Sequence, residues 1–328
     1  MKKLLALILV LTLVLSMGIT AFAVVIPAYE DWSPVTINKE IKLTNEGTIN
    51  PAETFNFTIG AGVVTKAAAG VTAPAFDTNT FDIDIAQGIL LGSDEIVLPE
   101  FGHVGVYTYP ITEIAGSTAG FDYDDGTYYL VVTVINNPDY VVGQTSKFLR
   151  VLTLTDENNV KRDSFENDFS AGSLVINKKI TGNYALFDDE FEVTVTLTPD
   201  QGKNIKKGPI SVSGAVGGIG SVADPDADGK VVITFKVTHE SEVTIANIPY
   251  GVSYVITEDS GDYESNIPEG GFIGTIGAES YEVDIVNKLD TEISTGINLD
   301  NLPYILILVG AAVGLVAFTM KRRLSDDR

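Results

Sequence analysis

Two runs with strand-like alternation each place a lysine where a core residue belongs. They are residues 35–41, Val-Thr-Ile-Asn-Lys-Glu-Ile, and residues 174–180, Leu-Val-Ile-Asn-Lys-Lys-Ile. Side chains alternate faces along a strand, so Lys39 shares a face with Val35, Ile37 and Ile41. By the same count Lys178 turns inward with Leu174, Ile176 and Ile180, while Lys179 turns outward. An unpaired ammonium in an apolar core is so costly that a lysine there tends to give up its proton, and a neutral amine is a nucleophile.

Each lysine is followed far downstream by a Glu and an Asn that pass the same facing test. Glu113 lies with Tyr107, Tyr109 and Ile111, and Glu258 with Val252, Tyr254 and Ile256. Asn167 lies with Phe165 and Phe169, and Asn287 with Tyr281, Val283, Ile285 and Leu289. Burial pushes a lysine towards the neutral amine and a glutamate towards the protonated acid. A protonated Glu could donate to the Asn side-chain carbonyl, the amine could attack Cγ, and ammonia would leave. The product is a Lys–Asn isopeptide bond, promoted by proximity alone, since oriented intramolecular reactions reach effective molarities of roughly 10⁵–10⁸ M. Against this stands a buried Lys–Glu ion pair with a hydrogen-bonded Asn beside it. The same three residue types, in the same order in both halves, favour the bond.

These residues must be positioned by β-structure. Between its two ends the chain shows no amphipathic helix, only short period-two runs rich in Val, Ile, Thr, Tyr and Phe. Examples are residues 55–59, 128–135, 191–197, 231–237 and 281–289. Asp125-Gly126 and Asp228-Gly229 precede strands as hairpin turns do, and Pro110 suggests an edge position or a bulge. The halves repeat one another in order: a lysine strand, a strand led by Phe55 or Phe191, a strand ending Ile-Thr-Glu, and a closing strand with the Asn. The expected fold is all-β, two tandem immunoglobulin-like sandwiches over residues 24–170 and 171–290, set end to end.

The ends direct the chain outward. Lys2 and Lys3, an apolar run and Ala21-Phe22-Ala23 read as a signal peptide over residues 1–23. Residues 302–320 form an uncharged apolar run followed by Lys321-Arg322-Arg323, which places the tail in the cytoplasm and the rest outside. With 21 Lys+Arg against 44 Asp+Glu, the chain carries a net charge of −23, which disfavours nucleic acid as a partner. Cysteine is absent, so any covalent staple needs another chemistry. Asp224-Pro225-Asp226 begins like a calcium loop, but Phe235 stands where the twelfth-position Glu belongs, so a hairpin turn is the better reading. His103 and His239, the only histidines, fall in different halves, which leaves no basis for a zinc site or a His-based triad. No cofactor and no turnover of a free substrate are expected.

The motifs Ile37-Asn38-Lys39, Tyr109-Pro110-Ile111-Thr112-Glu113, Phe165-Glu166-Asn167, Ile176-Asn177-Lys178, Tyr254-Val255-Ile256-Thr257-Glu258 and Ile285-Val286-Asn287 resemble those of the streptococcal pilin isopeptide-linkage proteins, the backbone pilins of Gram-positive pili. The resemblance implies that Lys and Asn lie on the first and last strands of each sandwich and that Lys39/Glu113/Asn167 and Lys178/Glu258/Asn287 form self-made bonds with the Glu as catalyst. Within residues 291–328, Glu292-Ile293-Ser294-Thr295-Gly296 ahead of the apolar run looks like a sortase sorting signal cut between Thr295 and Gly296. It is closer to the Glu-Val-Pro-Thr-Gly type than to Leu-Pro-x-Thr-Gly. The acceptor amine implied by the same resemblance is Lys161, six residues before Asn167, with Lys147 as the runner-up. The implied partners are a sortase, further pilin subunits and peptidoglycan, with a host or surface ligand open. A monomeric wall- or membrane-anchored adhesin of the same domains is the alternative, and a membrane-anchored receptor with ordinary ion pairs in its cores is a further one.

Overall fold

The computed structural model describes residue 31 and residues 34–143, 145–218, 220–293 and 302–326. The signal-peptide region and the Thr295-Gly296 pair lie outside the described residues. The first ten strands are β1 (Val35–Leu43), β2 (Glu53–Ile59), β3 (Val63–Ala67), β4 (Thr80–Ile85), β5 (Leu91–Ile96), β6 (Gly105–Ile114), β7 (Phe121–Asp122), β8 (Thr127–Asn136), β9 (Phe148–Thr155) and β10 (Phe165–Phe169). They form two facing sheets, ordered β5-β1-β10-β7 and β4-β2-β6-β8-β9, with β3 added against β6. Ten more follow: β11 (Ala171–Thr181), β12 (Phe191–Thr198), β13 (Ser211–Ser213), β14 (Ser221–Val222), β15 (Val231–Val237), β16 (Glu242–Pro249), β17 (Ser253–Asp259), β18 (Glu264–Ser265), β19 (Phe272–Thr275) and β20 (Ser280–Lys288). Their sheets run β13-β16-β11-β20-β18 and β14-β15-β12-β17-β19. A helix, α1 (Leu302–Asp326), closes the described chain. Its stretch Pro303–Met320 is long and apolar enough to cross a membrane and contributes nothing to either core.

The alternation of buried residues with exposed or half-buried ones along β1, β2, β12 and β15 is what one buried sheet face requires. The first and last strands of each sandwich lie side by side and parallel. β1 pairs β10 with Ile41 opposite Asn167, and β11 pairs β20 with Ile180 opposite Asn287. In both sandwiches the Asn therefore stands across from the residue two places after the lysine, on the same inward face.

Of the two positions that Pro110 suggests, an edge or a bulge, the edge does not hold: it lies in a central strand, where the partner strand is interrupted. β6 is flanked by β8 on one side and by β2 and then β3 on the other. In an antiparallel strand a residue's N–H and C=O point to the same neighbour. Pro110 accepts from Gly60 N–H at 2.7 Å, so its missing donor faces the gap where β2 ends and β3 begins. At that gap Gly62 packs its Cα against the Tyr109 ring, and a Cβ there would overlap the ring. Gly62→Ala is expected to destabilise the first domain by about 1–3 kcal/mol, read as a lowered urea midpoint.

Asp125-Gly126 likewise does not form a hairpin. β7 pairs β10 while β8 pairs β6 and β9, so residues 123–126 cross from one sheet to the other. The second candidate turn does join a hairpin: β14 pairs β15, and Asp226 Oδ1 accepts from the N–H groups of Asp228 and Lys230. That carboxylate oxygen is thereby committed to the turn.

Ser170 alone separates β10 from β11, and the joint around it is hydrogen-bonded on several sides. Ser170 N–H donates to Gly120 O at 2.9 Å and Tyr250 N–H donates to Ser170 O at 3.0 Å. Asn45 Nδ2 donates to Ala171 O and to the Tyr250 hydroxyl, both at 2.7 Å, and Ile49 N–H donates to Asn247 Oδ1 at 2.8 Å. Ala119 of the first sandwich is buried in the second core and Ala171 of the second in the first.

Candidate functional site

In the first sandwich β1 delivers Lys39, β6 delivers Glu113 and β10 delivers Asn167, and the structure brings all three together in the core. Lys39 Nζ stands 2.6 Å from Glu113 Oε2, and Asn167 Nδ2 donates to Glu113 Oε1 at 2.6 Å. One carboxyl group therefore bridges the amine and the amide. Lys39 has no solvent exposure, and the Glu113 side chain only 1%. Burial holds the Lys39 ammonium below its ordinary pKa despite the opposing pull of Glu113, and holds the Glu113 carboxyl above its own despite Lys39. Both directions favour a neutral amine beside a neutral acid.

The Asn carbonyl is served differently from the expectation. Glu113 meets the amide nitrogen, and Asn167 Oδ1 accepts instead from the backbone N–H of Asp124 at 2.8 Å. That donor comes from the sheet-crossing segment misread as a hairpin turn, and no side-chain pattern announced it. A second unforeseen element is the aromatic floor. Lys39 Nζ lies 5.0 Å from the centroid of Phe55, and Lys178 Nζ lies 4.3 Å from that of Phe191. The π face stabilises whatever cationic character the amine keeps. The signal was available in sequence, since Phe55 and Phe191 lead the corresponding strands of the two halves.

In the second sandwich β11, β17 and β20 carry Lys178, Glu258 and Asn287 inward. Lys178 Nζ is 2.5 Å from Glu258 Oε1, both side chains being fully buried, and desolvation again lowers the lysine pKa. Here Glu258 Oε2 and both side-chain polar atoms of Asn287 are buried without a hydrogen-bond partner among the described residues. Unsatisfied groups of this kind are rare in native cores and mark sites of strain or chemistry.

Lys161 and Lys147 stay outside the core on the first sandwich. Lys161 is exposed, follows a turn tied by Asp156 Oδ1 to the N–H groups of Asn158 and Val160, and lines a cavity of about 700 Å³ beside the start of β1. Lys147 lies over the Phe148 ring at 5.0 Å. Among the described residues no cluster of His, Asp or Glu could hold a metal ion.

The chain thus folds as tandem immunoglobulin-like sandwiches, each burying a Lys and an Asn on its parallel first and last strands and a Glu on an inner strand of the facing sheet. Residues 35–170 match the family described as the Spy0128-like isopeptide containing domain, and residues 172–289 match a domain family of unknown function. A curated pilin of Streptococcus pyogenes serotype M1 is 24% identical, the match covering 88% of this chain and 90% of that protein. The crystal structure of the major pilin of S. pyogenes superposes with a TM-score of 0.50 at 20% identity, covering 78% of this chain and 98% of that one. The T3.2 major pilin of the same species gives 0.50 at 18%, with the same coverage. These two likenesses define the fold. The isopeptide-domain match covers the first sandwich, and over most of its length the chain is similar to the S. pyogenes pilin.

Proposed function

We propose that each sandwich closes its own Lys–Asn isopeptide bond without an external enzyme, and that a sortase joins the stapled subunits into a pilus or to peptidoglycan. The observation that carries the first part is the single Glu113 carboxyl touching both Lys39 Nζ and Asn167 Nδ2. Lys39 Nζ, as a neutral amine, attacks Asn167 Cγ; the Nζ–Cγ bond forms and the Cγ–Nδ2 bond breaks. Glu113 takes a proton from Nζ with one oxygen and gives one to Nδ2 with the other, so nitrogen leaves as ammonia and the carboxyl is restored. Lys178, Glu258 and Asn287 take the same parts in the second sandwich.

The strand arrangement suits a tension-bearing subunit. Because first and last strands are neighbours, a bond between them passes load from one end of a sandwich to the other without engaging the intervening strands. For joining subunits, Lys161 is the favoured acceptor, being exposed and lining the cavity beside the start of β1, and Thr295 is the favoured donor of the carboxyl group. The test is the intact mass of residues 24–293, which contain every residue of both cores. The expected mass is lower than the sequence mass by two ammonia molecules, and Lys39→Ala should restore one of them. An unshifted mass for the parent protein would sink the proposal.

A further inference from the structure

The two centres differ in what faces the Asn carbonyl. In the second sandwich the strand beside the Asn stays in register: β18 pairs β20 with Ser265 opposite Asn287, and the next N–H, that of Asn266, donates to Val286 O at 3.0 Å. The corresponding N–H in the first sandwich belongs to Asp124. There the ladder with β10 ends at Asp122 opposite Asp168, the chain turns towards β8, and the Asp124 N–H meets Asn167 Oδ1. The turn is held by its own side chain. Asp124 Oδ1 accepts from Gly126 N–H at 2.8 Å and Oδ2 accepts from the Tyr128 hydroxyl at 2.5 Å. Tyr128 is in turn fixed by β8 and by its ring, packed 4.2 Å from that of Phe165.

When Nζ attacks Cγ, negative charge gathers on Oδ1. A half-buried N–H already aimed at that oxygen strengthens as the charge grows and needs no reorganisation. We propose that the Asp124 N–H is the oxyanion donor of the first sandwich, held in place by the Asp124 carboxylate and by Tyr128 as a positioning residue, and that the second sandwich has no counterpart among the described residues, where Asn287 Oδ1 lacks a partner. The first bond therefore closes ahead of the second. This rests on the isopeptide reading and adds an order to it: the domain that bears Lys161 is stapled first. Atoms balance as before, since the N–H only donates a hydrogen bond and Oδ1 returns to a carbonyl when ammonia leaves.

The test follows both bonds in one chain. Residues 24–293 are made by cell-free translation, sampled over time into acidic denaturant, digested, and scored by mass for the Lys39–Asn167 and Lys178–Asn287 linked peptides. The wild-type protein should show the first link ahead of the second. Tyr128→Phe, which keeps the ring on Phe165, should slow the first link roughly tenfold, and Asp124→Ala roughly 10–100-fold, with the second link unmoved as an internal clock. Asp124→Asn, which keeps an oxygen for Gly126 N–H, should recover most of the rate. Thermal melts of the same variants in a Glu113→Gln background, where the first link cannot form, separate positioning from folding. A first domain that stays folded while its link slows supports the proposal, and slowing accounted for by unfolding overturns it. So do variants that link at the wild-type rate, or a wild type whose second link leads. Absence of both linked peptides from the wild type overturns the isopeptide reading and this inference with it.

Discussion

Glu113→Ala is expected to abolish the first-domain bond outright and leave the second intact, so the intact mass rises by one retained ammonia beyond the change of residue. The stability loss should be large for two separate reasons. The lost staple closes a loop of over a hundred residues, worth on the order of 4–5 kcal/mol if the chain-entropy account of disulfides transfers to it. The truncation also leaves Lys39 buried without its partner, a change that costs about 3–5 kcal/mol in buried pairs.

The two single truncations should differ in the unlinked state. Neutralising a lysine at pH 7 from its ordinary value of 10.5 costs roughly 5 kcal/mol, whereas protonating a glutamate from 4.5 costs roughly 3 kcal/mol. Lys39→Ala, which strands the acid, should therefore be milder than Glu113→Ala, which strands the base. A pH series gives a further check in Glu113→Gln. Lys39 is held below its unfolded value by desolvation, and losing Glu113 removes the main force that raised it. The unfolded chain then binds more protons than the folded one between the two pKa values. Stability should rise with pH across neutral and mildly alkaline solution and level off near 10.5. A flat profile would show that Lys39 reaches water when its partner is gone.

Lys161→Arg is expected to erase the ladder of covalently joined species from cell-wall extracts while leaving both internal bonds in place. Arginine keeps the charge but loses the nucleophile, because a guanidinium is not deprotonated in proteins. The effect should be all or none, since every link would use the same amine. Lys147→Arg is the matched control and should leave the ladder intact. The reverse pattern would move the linkage to Lys147, and the absence of any ladder from the parent strain would favour a monomeric surface protein. Both variants should still lose two ammonia molecules, which separates subunit joining from internal stapling.

The inward-facing polar residues were legible because a strand of period two assigns each side chain a face, and a charged or amide residue on the apolar face is conspicuous. Lys39, Lys178, Glu113, Glu258, Asn167 and Asn287 all emerge from that rule, which also selects Lys178 over Lys179. Tandem all-β sandwiches follow from the same alternation and from the repeated order of strands. The facing test works because it depends only on neighbours along the chain.

What it cannot reach is anything decided by which strands meet. Pro110 looked like an edge or bulge residue because a proline forbids one hydrogen bond, and the structure places it in a central strand by aligning the missing donor with the gap between β2 and β3. Asp125-Gly126 has the composition of a hairpin turn, but the pairing of β7 with β10 turns the segment into a crossing between sheets. A backbone N–H carries no side-chain signature, so the donor at Asp124 became visible only with the fold. The sequence by itself determined which faces of the strands turn inward and that a Lys, a Glu and an Asn of each half lie on them. Only the tertiary structure decided that Glu113 bridges amine to amide, that Phe55 and Phe191 lie beneath the lysines, and that the two Asn carbonyls face different surroundings. Facing is a local property of an extended chain, whereas contact and orientation depend on partners brought together from far along it.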